Sequence, residues 1–329
     1  MAALTSLNQA ELADWLPQYG LGELSEFQRI STGIENSNYF VNTTDLSQVH
    51  QLVVTILEQD YPSRDLLVPL ANTLQQAGLP VPKILPNKGG ETVVALAGKP
   101  AILSTRLPGA HPVNPTTSQC AAVGRFLARF HKASQSARIH ARRFARDLDW
   151  LQSNAQQVSG YLPFDEQALL KRSLGHLQSL LTRKDLAALP KGIVHGDLFR
   201  DNVLFNERGL SGVLDFHHAG EHFLLFDIAV AANDWCTDSS GNLDTDRCIP
   251  LLQAYHAERE LTTDELWFLP LFMIYSATAF WLSRLSGKFP PPGLPAEARK
   301  NPEEFRAIVA KRCDQFFYLD PRVLRPSGK

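Results

Sequence analysis

The sequence predicts an α+β fold of two lobes, β-rich over residues 1–106 and mainly helical over 107–329. Three observations carry this. Strand-like apolar runs dominate the first third of the chain. A breaker-rich stretch, Leu107-Pro108-Gly109-Ala110-His111-Pro112, then marks a change of pattern and suits a hinge. Beyond it, apolar residues recur at helical spacing almost to the C-terminus.

The elements follow in order. Asn8 with Glu11 three residues on forms a capping-box pattern, with Leu7 and Leu12 as its staple, so a short helix opens the chain. Gly20 and Gly22 end it. Strands are expected over 24–30, 38–43 and 49–57, the first two joined by a turn-like stretch, 31–36. A helix over 62–77 has Pro62 near its start and Gly78 just past its end. Strands over 93–96 and 100–106 complete the first lobe. In the second lobe helices are expected over 116–137, 147–158, 166–181, 225–235, 246–258, 264–285 and 297–317. Short apolar runs at 192–195, 203–205 and 210–216 interrupt them.

With 329 residues and 44% hydrophobic composition, the chain can bury a large core. Its 32 basic and 34 acidic residues nearly balance, which gives no electrostatic reason to expect nucleic acid or an anionic membrane as partner. Cys120, Cys236, Cys248 and Cys313 form no CxxC pair and read as free thiols of a reducing, cytoplasmic setting. No basic region followed by an apolar run marks a secretory leader near Glu11 and Asp14. Residues 266–285 are apolar enough to cross a bilayer. Pro270, Ser276, Thr278 and Ser283 interrupt that run, so it is expected to be a helix buried within the second lobe.

The chemistry concentrates in Ile193-Val194-His195-Gly196-Asp197-Leu198-Phe199-Arg200-Asp201-Asn202-Val203-Leu204-Phe205. An apolar run delivers His-x-Asp, four residues intervene, and Asn precedes another apolar run. Phosphoryl transfer to an alcohol needs a carboxylate beside the attacking hydroxyl and oxygen ligands for magnesium. Asp197 and Asn202 across a tight loop supply both. Thirteen residues later Asp215 ends the run Gly212-Val213-Leu214, where a second magnesium-binding carboxylate belongs. Any one of these residues would pass for a turn or strand terminus; the order and spacing together do not.

This motif resembles that of the aminoglycoside phosphotransferase and choline kinase-like enzymes, in which HGDxxxxN is followed by a strand ending in Asp. The resemblance implies a protein-kinase-like fold, ATP and Mg2+, Asp197 as catalytic base, Asn202 and Asp215 as metal ligands, and His195 as support for the loop. Three further strings are similar to those of the bacterial homoserine kinases of that superfamily. They are Gly33-Ile34-Glu35-Asn36-Ser37-Asn38-Tyr39-Phe40-Val41, Phe226-Asp227-Ile228-Ala229-Val230-Ala231-Ala232-Asn233-Asp234-Trp235-Cys236, and Phe280-Trp281-Leu282-Ser283-Arg284-Leu285. The likeness spans roughly Leu12 to Cys313 and implies L-homoserine as the acceptor, with O-phosphohomoserine as product in threonine biosynthesis.

Within that frame Gly33, Ser37 and Asn38 are candidates to present small side chains and N–H groups to phosphate oxygens. Thr55 stands where a lysine usually meets the nucleotide phosphates. A hydroxyl cannot replace that charge. Lys83, Lys88 and Arg106 are the nearby basic candidates. A zwitterionic acceptor needs both charges in its pocket: Arg284 for the carboxylate, or else in an internal salt bridge with Asp227 or Asp234; Asp234 for the ammonium, with Trp235 shaping the site, or else that pair as the anchor of a helix C-terminus. Arg200 either steadies the transferred phosphate or pairs with Asp201. His217, His218 and His222 read as surface-loop histidines. Choline, an aminoglycoside or another amino alcohol stays open as acceptor, as does a non-catalytic nucleotide-binding regulator; a homodimer is also left open.

Overall fold

The computed structural model describes residues 5–30, 35–46, 48–59, 64–137, 139–286 and 300–324. Gly33 and the Pro-rich 289–295 stretch lie outside them. The first lobe begins with α1 (Gln9–Trp15), whose Asn8 and Glu11 exchange both hydrogen bonds of the capping box. Six strands then form one antiparallel sheet: β1 (Glu23–Ile30), β2 (Ser37–Thr44), β3 (Val49–Ile56), β4 (Ile84–Leu85), β5 (Val94–Leu96) and β6 (Lys99–Thr105). Their order is β1-β2-β3-β6-β4, with β5 also on β6. The two-residue β4 is too short to be read from the sequence.

Strand alternation gives this sheet two faces. Tyr39, Val41, Val54, Ile56 and Leu103 pack with Leu12, Trp15 and Leu16 into a small core. Asn38, Phe40, Val53, Thr55, Ile102 and Ser104 face the other way and line a cleft. The inserted helix α2 (Arg64–Gln76) joins the lobes. Its Leu66, Leu67, Leu70 and Leu74 belong to the large core of the second lobe, whereas Ala71 packs with Ile84 and Ile102 of the sheet.

The crossing into the second lobe is tight at Gly109, where φ is +127° and a Cβ would stand 2.7 Å from the Phe205 carbonyl oxygen. Only glycine fits such a conformation and approach. Beyond it lie α3 (Thr117–Ser136), α4 (Leu148–Ser159), α5 (Phe164–Leu181), α6 (Leu225–Trp235), α7 (Thr245–Glu258), α8 (Thr263–Ser286) and α9 (Glu303–Asp314). Two small hairpin-like sheets sit among them: β7 (Lys191–Val194) pairs with β10 (Gly220–Phe223), and β8 (Val203–Asn206) with β9 (Gly209–Val213).

The apolar segment is indeed interior: 89% of the most apolar window of α8 is buried. Pro270 does not interrupt it but sits inside a continuous helix. The four cysteines are free and buried.

Candidate active site

The loop after β7 is held from behind by one carboxylate. Asp227, fully buried in the first turn of α6, accepts the backbone N–H groups of His195 at 2.7 Å and Gly196 at 2.8 Å. It also meets Nε2 of His131 at 3.0 Å, while Nδ1 of that ring takes the Tyr255 hydroxyl at 2.8 Å. Gly196 turns the chain with φ +76°, and a Cβ there would lie 2.3 Å from the Phe144 ring. No other residue makes that turn without displacing the core.

His195 ties this loop to the next strand. Its Nδ1 accepts the Asp197 N–H at 3.3 Å, which leaves the proton on Nε2 to be donated to the Leu214 carbonyl at 2.9 Å. Asp215 follows Leu214 and takes a left-handed conformation, φ +61° and ψ +68°. That costs a non-glycine residue about 1–2 kcal/mol. The neighbouring bonds from His195 and from Leu214 N–H to the Asn202 carbonyl at 2.9 Å hold it there.

Asp197, Asn202 and Asp215 therefore converge on one cleft of about 1080 Å³, roofed by the sheet face that carries Asn38 and Thr55. The Asn202 amide donates to the Asp197 backbone oxygen at 2.8 Å and carboxylate at 3.2 Å. Burial pushes the Asp197 carboxyl above its usual value, and Asp215 adds to this while Arg146, His218 and Lys300 pull it down. A carboxylate so poised is a better proton acceptor than a solvated one.

The other sequence candidates separate into two sets. Thr55 donates to Asn38 Oδ1 at 2.7 Å, and both line the cleft. Ser37 does not: strand parity turns it to the opposite face, where its hydroxyl donates to Glu58 at 2.5 Å. The same Glu58 is bonded by Lys99. Lys83 and Lys88 do not line the cleft; Arg106 does, with its guanidinium stacked 3.8 Å above Phe40.

Arg200 is corrected, and of the two readings for Asp234 and Trp235 the helix-terminus anchor is the one observed. Arg200 pairs with neither Asp201 nor the cleft; its backbone N–H donates to Asp234 at 2.7 Å, and its guanidinium reaches the same carboxylate. The α6 C-terminus lies directly behind the loop, so the residue pointing backward from the turn finds Asp234 there. Burial pushes Asp234 up to about 6 against the pull of Arg200. Trp235 is buried, its indole N–H donating to the Leu198 carbonyl at 3.0 Å. Arg200 and Asp234 line a smaller cavity behind the loop rather than the cleft, and Trp235 lines neither. Arg284 does line the cleft, but its salt bridge is to Glu304 at 2.7 Å, not to Asp227 or Asp234. Asp201 pairs with Lys300 at 2.8 Å.

The three histidines are not surface-loop residues. His217 and His218 are mostly buried at the cleft, and His222 lies on β10 against Phe144, Phe226 and Tyr275. Gly220 and His222, its inward residues, are not apolar, so no alternation marked this strand in the sequence. Among the described residues no group of three or more His, Cys, Asp or Glu forms a metal site. Sequence reading also missed Arg146, Glu35 and Lys300, which line the cleft. Arg146 sits among Arg142, Arg143 and Asp147 in an irregular connection, where no periodicity marks one arginine from the next.

Residues 26–261 match the model of the phosphotransferase enzyme family. The chain is 38% identical over 318 residues to a homoserine kinase of Cupriavidus pinatubonensis, covering 95% of this chain and 96% of the other. The chain belongs to the homoserine kinase family of phosphotransferases. A homoserine kinase of Methylobacillus flagellatus is 36% identical over 309 residues, 94% of each chain. Among solved structures, a microcompartment-associated aminopropanol kinase superposes with TM-score 0.69 at 20% identity, covering 92% of this chain and 94% of that one. An amicoumacin kinase superposes with TM-score 0.68 at 18% identity, covering 94% and 92%. These two share the fold, which is protein-kinase-like. The family implies kinase chemistry, and hence ATP use.

Proposed function

We propose that this chain transfers the γ-phosphoryl group of ATP to the side-chain hydroxyl of L-homoserine, giving O-phospho-L-homoserine and ADP. The observation that carries the reading is the convergence of Asp197, Asn202 and Asp215 on a single cleft, in a chain similar along nearly its full length to homoserine kinases. The lobe of residues 1–106 covers the nucleotide, and the lobe of 107–329 supplies the loop and the acceptor site.

The donors suit a magnesium ion. They are oxygen atoms, and they are few, which would suit a hard cation that keeps water and substrate phosphate as its other partners. Asp215 would contribute a carboxylate; Asn202, whose amide nitrogen is engaged by Asp197, would contribute its oxygen. When bound, the ion neutralises phosphate charge and orients the γ-phosphoryl group. Asp197 takes the proton of the homoserine hydroxyl as its oxygen bonds to the γ-phosphorus and the bond to the β,γ-bridging oxygen breaks. Arg284 and Lys300, on the second-lobe wall of the cleft, supply positive charge for the substrate carboxylate. Asn38 and Thr55 form a polar pair on the roof, beside the nucleotide.

The test is ADP release measured with homoserine, choline, serine and an aminoglycoside side by side. Homoserine is expected to give the highest kcat/KM. Preference for another alcohol by about tenfold or more, worth about 1.4 kcal/mol, would replace the acceptor but keep the kinase. No acceptor-dependent ADP release from any of the four would remove the proposal.

A further inference from the structure

The cleft receives a triphosphate without the lysine that a kinase sheet normally directs at it, since Thr55 occupies that strand position. A cation must come from elsewhere. Arg146, on the connection between α3 and α4, has the required placement. Its neighbour Asp147 caps α4 through Trp150 N–H at 2.9 Å and is bridged by Arg143 at 2.6 Å. The Tyr275 hydroxyl of α8 donates to the Arg146 carbonyl at 3.0 Å. The backbone is thus fixed from both sides.

The side chain spans the cleft. Nη1 stands 3.6 Å from Asp197 Oδ1, and Nη2 stands 4.0 Å from Glu35, just before β2 of the other lobe. The guanidinium carbon lies 5.1 Å from the Phe280 ring centroid. His218 Nε2 comes within 3.3 Å of Nη2, but its proton serves Glu35 at 2.8 Å, so two donors meet there. Nη1 is buried and has no hydrogen-bond acceptor. Arginine carries five donors in a fixed fork. A buried fork with an unfilled donor beside the catalytic carboxylate is half of a site whose acceptor arrives with a ligand.

We propose that Arg146 is a catalytic residue: its free donor contacts an equatorial oxygen of the transferring γ-phosphoryl group and supplies the charge that Thr55 cannot. This rests on the kinase reading above and adds the residue that stabilises the transition state. The same fork lies between Glu35 of one lobe and Asp197 of the other, at 4.0 and 3.6 Å.

The test uses R146Q and R146K in the full chain, with two readouts. In R146Q, kcat is expected to fall about 10²–10³-fold, in the range of other single electrostatic donors. Binding of Mg·ADP with tetrafluoroaluminate, which mimics the flat transferring group, is expected to weaken at least about tenfold while Mg·ADP alone changes little. R146K, with charge but no fork, is expected to fall between wild type and R146Q. Should R146Q not fold, R146K is judged by the same two readouts. Turnover within about threefold of wild type in a folded variant, or equal weakening of both complexes, overturns the role, since a merely structural arginine would not separate them. The binding readout needs no acceptor alcohol. A wild type that binds the mimic but ignores homoserine therefore refutes the acceptor and not Arg146; a wild type that binds no nucleotide refutes the kinase reading and this role with it.

Discussion

The two sides of the catalytic loop are built on opposite principles. Behind it, polar groups are matched. Asp227 fills the N–H groups of His195 and Gly196, Asp234 fills those of Arg200, and Trp235 fills the Leu198 carbonyl. In front, Asp215 is left-handed, the Asp197 carboxyl is raised, and Arg146 Nη1 has no acceptor. Matched groups rigidify; unmatched ones await a ligand. The difference shows how a loop is made stiff enough to hold three reactive side chains in a costly arrangement. It also explains why charged residues at similar distances along the chain have different duties.

That contrast is open to attack from either side. The largest effect should come from the front: Asp197→Asn removes the proton acceptor, and kcat is expected to fall about 10²–10⁴-fold with the thermal transition nearly unchanged. Wild-type turnover would end the mechanism. From behind, Asp227→Asn replaces one acceptor oxygen by a donor that faces buried N–H groups. Unfolding free energy should drop by about 3 kcal/mol in urea titration, because a buried partner is left unmatched.

A third experiment probes the interior behind the loop through pH. Burial holds His222 near 4, below its usual value, so the folded state binds fewer protons than the unfolded chain between that pH and about 6.5. Its contribution is complete above 6.5 and is lost as pH falls toward 4. Relative to pH 7, wild type should lose about 2 kcal/mol at pH 5 from this group, and His222→Gln should lose correspondingly less. Parallel pH curves for the two proteins would contradict the burial argument. The smallest effect is expected at the roof: Thr55→Val removes the bond to Asn38 and should cost about 1 kcal/mol in stability. A large rise in KM for ATP would show that Thr55 meets the nucleotide itself.

Much of this was legible in the sequence. The capping box of Asn8 and Glu11, the first three strands and the C-lobe helices follow from local patterns that the tertiary structure does not overrule. The spacing of Asp197, Asn202 and Asp215 is legible because a tight loop between two short strands leaves few ways to arrange it. Strand β10 escaped because Gly220 and His222 carry no alternation signal, although His222 is buried. Ser37 was misplaced by one step of strand parity, since neighbours in sequence face opposite sides of a sheet. Arg200 was misread, and Asp234 stayed open between ammonium site and helix anchor, because sequence gives charge but not direction.

What the amino-acid order determined alone is the covalent spacing of the motif and the local preferences that bend it, above all at Gly196. What only the three-dimensional packing decided is which charges meet. Arg146 reaches Asp197 across 51 residues and Arg284 reaches Glu304 across 20, separations that no periodicity records. The reason is physical: backbone preferences act within a few residues, whereas electrostatic partners are chosen by the folding of distant segments into one poorly solvated space.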